Sequence, residues 1–265
     1  MDLELAGKTA IVTGGSRGIG KAVARELAAE GVDVAIVART AAALDESAAE
    51  LSEATGRRIV PIVADTADDQ SVKAMVSEAA ASFGHLDILV NCAAQPAGHA
   101  PPPKLAEITD DAFFIDVNVK VMGYLRCARE VAPHMIRQRW GRIINISGLA
   151  ARVTGSTIVS IRNVAVVAMA KNLADELGPH GINVTVVHPA TTRTEKTPAV
   201  AASLAERHGI TPEEAEKRLV NNLVGRLIDA REIAYVVTFL ASPRAVAING
   251  DAIPAGGGTR GAIYY

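Results

Sequence analysis

A doubly wound α/β fold around a seven-stranded parallel sheet is predicted by three features of this 265-residue chain. Short β-branched runs alternate with helical patterns, glycines stop the helices, and the first run enters a glycine-rich turn that opens a helix. The strand runs are Thr9 to Val12, Val34 to Val37, Ile59 to Val63, Leu86 to Val90, Arg142 to Ile146, Ile182 to Val187 and Ala247 to Ile253. Helix-length connections between them force parallel pairing, because such a crossover returns the chain to the same edge of the sheet. The helical patterns run Ile19, Val23, Leu27 before Gly31, then Leu44, Ala48, Leu51 before Gly56, then Val72, Met75, Val76, Phe83 before Gly84, and each glycine suits a left-handed cap. Two longer apolar helices are expected from Asp111 to Met135 and from Ser156 to Leu177. Val117, Val121, Tyr124 and Leu125 lie on a spare face of the first, and Val164, Val167 and Met169 on that of the second. A proline-rich loop occupies 100–104, and Trp140 is expected to pack against the helix end before it. The polar helical stretch Glu195 to Arg226 has no strand of its own and reads as a lid at about 195–226 on a single domain spanning 1–265.

Composition narrows the function. A hydrophobic content of 49% supports one substantial core, while a net charge of -2 with scattered Lys and Arg gives no footprint for nucleic acid. Cys92 and Cys127 have no paired spacing, and the histidines are dispersed, so neither a disulfide framework nor a metal site is signalled. A reducing cytoplasm fits. No basic leader and no apolar run of membrane length stand out, so no membrane partner is expected.

The turn Thr13-Gly-Gly-Ser-Arg-Gly-Ile-Gly20 carries the first chemistry. Gly14, Gly18 and Gly20 follow a buried strand, where backbone N–H groups and a helix N-terminus can approach a pyrophosphate. Further pieces follow in order: Asp65 after the third strand, Asn91-Cys-Ala-Ala94 after the fourth, Asn118 in a long helix, Gly141-Arg-Ile-Ile-Asn-Ile-Ser147, His188-Pro-Ala-Thr-Thr-Arg-Thr194, and Gly225-Arg226 through Phe239-Leu-Ala-Ser242. On these motifs the chain resembles the short-chain dehydrogenase/reductase family over nearly its whole length, which implies a Rossmann-type fold. The resemblance implies a dinucleotide held by Gly14, Ser16, Arg17, Gly18, Ile19, Gly20, Arg39, Asp65, Thr66, Asn91, Ala93, Pro189 and Thr194. Asp65 should meet the adenine and Thr194 the nicotinamide amide. Ala94 and Ala190 replace two glycines of the family pattern.

Charge selects the cofactor. At the end of the second strand, where an acidic residue would bind ribose hydroxyls, stands Ala38-Arg39, with Arg17 in the glycine turn. Two guanidinium groups beside a 2′-phosphate favour NADP(H), with NAD(H) as the alternative.

The catalytic positions depart from the pattern. Family members carry a serine past the fifth strand and a tyrosine and lysine on the next helix. Here those positions read Gly148, Val159 and Asn163, and a later gap would substitute Ile161 and Ala165. No tyrosine occurs between Tyr124 and Tyr235. A missing general acid typically costs about 10² to 10⁴ in rate. Asn118 matches the family's asparagine and, with Ser147, is the remaining catalytic candidate; Ser160 and His188 are nearby polar groups.

Two expectations emerge. One is an NADP(H)-dependent oxidoreductase of a small carbonyl or alcohol, whose proton comes from a water on Asn118 or a hydroxyl of Ser147 or Ser160. The other is a catalytically silent dinucleotide-binding sensor or partner subunit. By resemblance the long helices and the tail 247–265 build a homotetramer, or a mixed oligomer with an active relative.

Overall fold

Alternating side-chain direction along strands buried on both faces divides the interior of the molecule in two. The computed structural model describes residues 1–95 and 101–261. The start of the proline-rich loop at Ala100, His99 and the last residues of the C-terminal tail lie outside them. The strands are β1 (Thr9–Thr13), β2 (Asp33–Ala38), β3 (Ile59–Val63), β4 (Ile88–Asn91), β5 (Gly141–Ile146), β6 (Ile182–Pro189), the two-residue β7 (Thr192–Arg193) and β8 (Ile228–Asp229), and β9 (Ala252–Ala255). The helices are α1 (Gly18–Ala29), α2 (Ala41–Thr55), α3 (Asp69–Phe83), α4 (Asp110–Val117), α5 (Gly123–Gln138), α6 (Thr157–Leu177), α7 (Thr197–His208), α8 (Pro212–Arg218) and α9 (Ala230–Ala241). Seven strands form one parallel sheet in the order β3-β2-β1-β4-β5-β6-β9, and β7 pairs with β8 beside it. Val12, Val34, Ile36 and Ile144 point to the core under α1, α2 and α9, whereas Ile11, Ala35, Val37 and Ile143 point to the core under α3, α5 and α6. This is a single-domain Rossmann fold.

Local chemistry fixes the boundaries. Gly56 and Gly84 close α2 and α3 with φ of 66° and 80°, as expected at left-handed caps. Asp68 accepts from the N–H of Ser71 and starts α3. The segment after Glu195 folds as α7 and α8 on a small cluster of Ala201, Ala205 and Ala215.

Several expectations need correction. The last strand begins at Ala252, not Ala247. Asn183 Nδ2 donates to the carbonyls of Val246 and Ile248 at 3.0 Å each, and Asn249 Oδ1 accepts from the N–H of Val184 at 2.8 Å, so side chains hold 246–249 as a loop. The first long helix is interrupted by a π-helical turn, Asn118–Met122, between α4 and α5. That extra residue per turn shifts the helix face, and Tyr124 is fully buried, its hydroxyl donating to Ile146 O at 3.0 Å. The exposed apolar side chains on these helices are Phe114, Ile115 and Met122, with Ile161 and the expected Val164 on α6, whereas Val117, Val121, Leu125, Val167 and Met169 are half-buried. One helix, Thr157 to His180, is long and apolar enough by length and composition to cross a membrane. Here its buried face, including Val166, Ala170 and Ala174, packs on the sheet. Trp140 joins the core opposite α5 and lies between Lys8 and Arg142, because Arg139 at φ 55° turns the chain over.

Asn183→Ala removes both bonds that hold the loop before β9. It should cost about 0.5 to 1.5 kcal/mol in urea unfolding, the net range for an ordinary hydrogen bond whose acceptor water can reach; an unchanged midpoint would show that the loop is held by other contacts.

Candidate cofactor and active site

The strands β1 and β4 are neighbours, but the chain leaves them toward opposite sides of the sheet, opening a crevice beyond their carboxyl ends. Thr13 ties the two sides together: its Oγ1 accepts from the N–H groups of Cys92 at 3.0 Å and Ala93 at 3.2 Å. The glycine turn fills one wall. A Cβ on Gly20 would stand 2.2 Å from Gly14 O, and Gly14, with φ 69°, faces the backbone N of Ala93 at 3.1 Å from a built Cβ. No side chain fits at either place. The N–H of Gly18, at the start of α1, donates to Glu195 Oε2 at 3.1 Å. A carboxylate therefore stands where a helix terminus attracts an anion, and the cradle fits a pyrophosphate.

The remaining expected cofactor residues lie in the glycine turn and α1 or at and just beyond the carboxyl ends of β2, β3, β4, β6 and β7. Ser16 is held by Ser47 Oγ on its carbonyl at 2.9 Å, and Ile19 packs on the core. Arg17 and Arg39 are exposed and carry no ion pair or side-chain hydrogen bond among the described residues. Asp65 Oδ1 accepts from Ala67 N at 2.9 Å, and buried Thr66 donates to Val119 O at 3.4 Å. Asn91 is fully buried and donates to Asn145 Oδ1 at 2.9 Å, leaving Asn91 Oδ1 and Asn145 Nδ2 unpaired among the described residues. Pro189 ends β6, and Thr194 Oγ1 accepts from Lys196 N at 3.3 Å.

The catalytic candidates separate. Asn118 Nδ2 is turned to Ala67 O at 3.3 Å, and its carbonyl accepts from Arg126. Ser147 is buried and spends its hydroxyl proton on Asn163 O at 3.1 Å. Gly148 lies next to Asn163, since a Cβ there would stand 3.0 Å from Asn163 Nδ2. Val159 is half-buried in the first turn of α6, and Ser160 Oγ is enclosed without a partner among the described residues. The tyrosines lie elsewhere: Tyr124 is buried, and Tyr235 stands on α9 beside Arg231. Among the described residues no group of His, Cys, Asp and Glu could hold a metal ion.

Lys120 was missed by the sequence reading. It sits in the π-turn with only 3% exposed, and its Nζ donates to Ser147 O at 2.9 Å and to Asn163 Oδ1 at 3.1 Å. Burial, then the charge of Arg162, brings Lys120 down to about 7. The signal was a lone lysine inside Val117-Asn-Val-Lys-Val-Met122. Glu195 was also missed as an anion at the glycine turn. His188 is buried, accepts from the N–H of Gly148 at 3.3 Å, and is lowered to about 4 by desolvation and then by Arg152 and Lys120. Desolvation pushes the Cys92 thiol up to about 11, which disfavours the nucleophilic thiolate.

Comparison with known proteins points the same way as the crevice. A sequence model described as short chain dehydrogenase matches residues 8–204. The chain is 37% identical to the short-chain reductase protein NovJ of Streptomyces niveus over 250 residues, covering 94% of this chain and 92% of that protein. It is 34% identical to a 3-oxoacyl-[acyl-carrier-protein] reductase, FabG, of Staphylococcus aureus, covering 95% and 97%. Its fold is similar to that of L-sorbose reductase from Gluconobacter frateurii complexed with NADPH and L-sorbose, with a TM-score of 0.94, 29% identity, and coverage of 99% and 100%.

His188 sets a pH dependence of stability. An unfolded histidine takes its proton near 6.5 and the folded ring near 4, so this contribution is complete above about 6.5 and is lost as pH falls toward about 4, by at most about 3 kcal/mol. Urea midpoints should therefore fall between about pH 7 and about pH 5, and less steeply in His188→Asn. Equal slopes would mean that the ring titrates alike in both states.

Proposed function

The chain belongs to the short-chain dehydrogenase/reductase family, and on that premise we propose that it is an NADP(H)-dependent oxidoreductase acting between a small carbonyl compound and its alcohol. On this reading Gly148, Val159 and Asn163 stand at the serine, tyrosine and lysine positions of an atypical active site. The observation that carries the reading is the cradle: Gly14, Gly18 and Gly20 around an α1 terminus that already draws a carboxylate. When bound, the dinucleotide supplies a hydride. The chain's own residues do the rest. Gly18 N–H binds a phosphate oxygen in place of Glu195, Thr13 holds the loop of Cys92 and Ala93 against the crevice, and Asp65 and Asn91 border the adenosine side. Arg17 and Arg39, free of protein partners among the described residues, receive the 2′-phosphate. The proton for the carbonyl oxygen comes from water or from the Ser160 hydroxyl, which has no partner among the described residues, since Ser147 has committed its hydroxyl to a backbone carbonyl.

The two free cysteines support a reducing cytoplasmic setting. The exposed apolar side chains Phe114, Ile115, Met122, Ile161 and Val164, on neighbouring faces of α4, the π-turn and α6, support assembly into a homotetramer. A second reading, a silent dinucleotide-binding subunit paired with an active relative, is favoured by one observation. No described phenol is open to the crevice, since Tyr124 is fully buried with its hydroxyl donated to Ile146 O and Tyr235 stands on α9.

NADPH should bind more tightly than NADH by about 1.5 to 3 kcal/mol, and Arg39→Ala should remove much of that gap in a fluorescence titration. Equal affinities would mean that the arginines face solvent in the complex. Oxidation of bound NADPH by a ketone or diketone in a broad panel supports the enzyme, whereas tight binding with no turnover selects the silent subunit. Light scattering at micromolar concentration should give a tetramer, and a monomer would remove the assembly.

A further inference from the structure

Lys120 is the only buried lysine among the described residues, and no carboxylate pairs with it. An ammonium donates and cannot accept, so the Asn163 atom that faces it is the carbonyl Oδ1, and Nδ2 is turned away. Lys120 Nζ also donates to Ser147 O, and Ser147 Oγ donates to the backbone carbonyl of Asn163, so the segment that carries Asn163 is tied to the same strand end while Lys120 alone orients its amide. So turned, Nδ2 has no acceptor among the described residues and stands where a Gly148 side chain would go, 3.0 Å from a built Cβ. With no side chain on Gly148, that side of the amide is left uncovered.

We propose that Asn163 Nδ2, aimed by Lys120, is the donor that holds the substrate's oxygen beside Gly148, so that Asn163 touches the substrate and Lys120 is a positioning residue. The proposal rests on the reading of this crevice as a carbonyl and alcohol site. The ligand it takes carries an acceptor oxygen, a ketone or a hydroxyl. An amide N–H backed by a buried cation grows stronger as that oxygen gains negative charge, which is what a carbonyl under reduction does.

The arrangement also titrates. Lys120 is faced by Arg162 of α6, itself paired with Asp116 of α4, by Cys92 beyond β4, and by His188 of β6. His188, near 4, and Cys92, near 11, do not change charge around neutrality, whereas Lys120, near 7, does. A neutral amine has a lone pair and can accept from Nδ2, so Asn163 loses its fixed orientation as pH rises through about 7.

Amide NMR of the whole protein tests this without turnover, the Asn163 side-chain resonances being identified by their loss in Asn163→Asp. In the protein without cofactor they should shift with a midpoint near 7 and become independent of pH in Lys120→Met, which keeps the chain length and removes the charge. With NADP⁺ bound, butane-2,3-dione should shift the same resonances. Gly148→Ala should abolish that response by filling the gap; the φ of 165° at Gly148 is extended backbone that alanine adopts freely. Failure of either response overturns the proposal. Both responses without any ketone turnover would sustain the donor and overturn the enzyme reading alone.

Discussion

Everything functional in this molecule depends on the parting of β1 and β4. In a parallel sheet wound in both directions the strands on either side of the switch send their connections to opposite faces, so no helix covers their carboxyl ends. The backbone there would be left with unpaired groups, and Thr13 supplies an acceptor for two of them. That hydroxyl sets the separation between the glycine turn and the loop of Cys92 and Ala93. The glycines then have no latitude: Gly20 lies against the carbonyl of Gly14, and a single methyl group would push the turn open.

The electrostatics of the site come from how little carboxylate it contains. Lys120 and Arg162 are both buried near the ends of β4 and β5, with one carboxylate, Asp116, taken by Arg162. An ammonium removed from water without a counter-charge is held by backbone and amide oxygens, an arrangement that is stable only where every acceptor is well placed. Desolvation, and then the charges of Arg152 and Lys120, keeps His188 neutral. The exposed Arg17 and Arg39 and the buried Lys120 and Arg162 put cations around the crevice, while at the glycine turn the α1 terminus is met by the Glu195 carboxylate, which a polyanionic ligand would displace.

Much of this was legible in the chain. The first six strands lie within two residues of their β-branched runs, because buried strands leave a continuous apolar trace. The seventh was not, since the bonds from Asn183 and Asn249 that hold 246–249 as a loop come from distant or polar side chains that no local pattern records. Helical periodicity misplaced Tyr124 because the π-turn adds a residue to one turn and rotates the helix beyond it. Lys120 escaped for the same reason: a lone lysine in a helix reads as solvated until its face is known. The Glu195 contact with Gly18 spans 177 residues and is a property of the fold alone.

The central claim is that a dinucleotide lies across the β1 and β4 switch with its phosphates on the α1 terminus. Backbone amide NMR of the labelled protein during NADPH addition tests it most directly. The account predicts that the amides of Gly18, Cys92 and Ala93 shift together and saturate with one affinity, as Glu195 is displaced. Binding that moves other amides while leaving these three unchanged would contradict it.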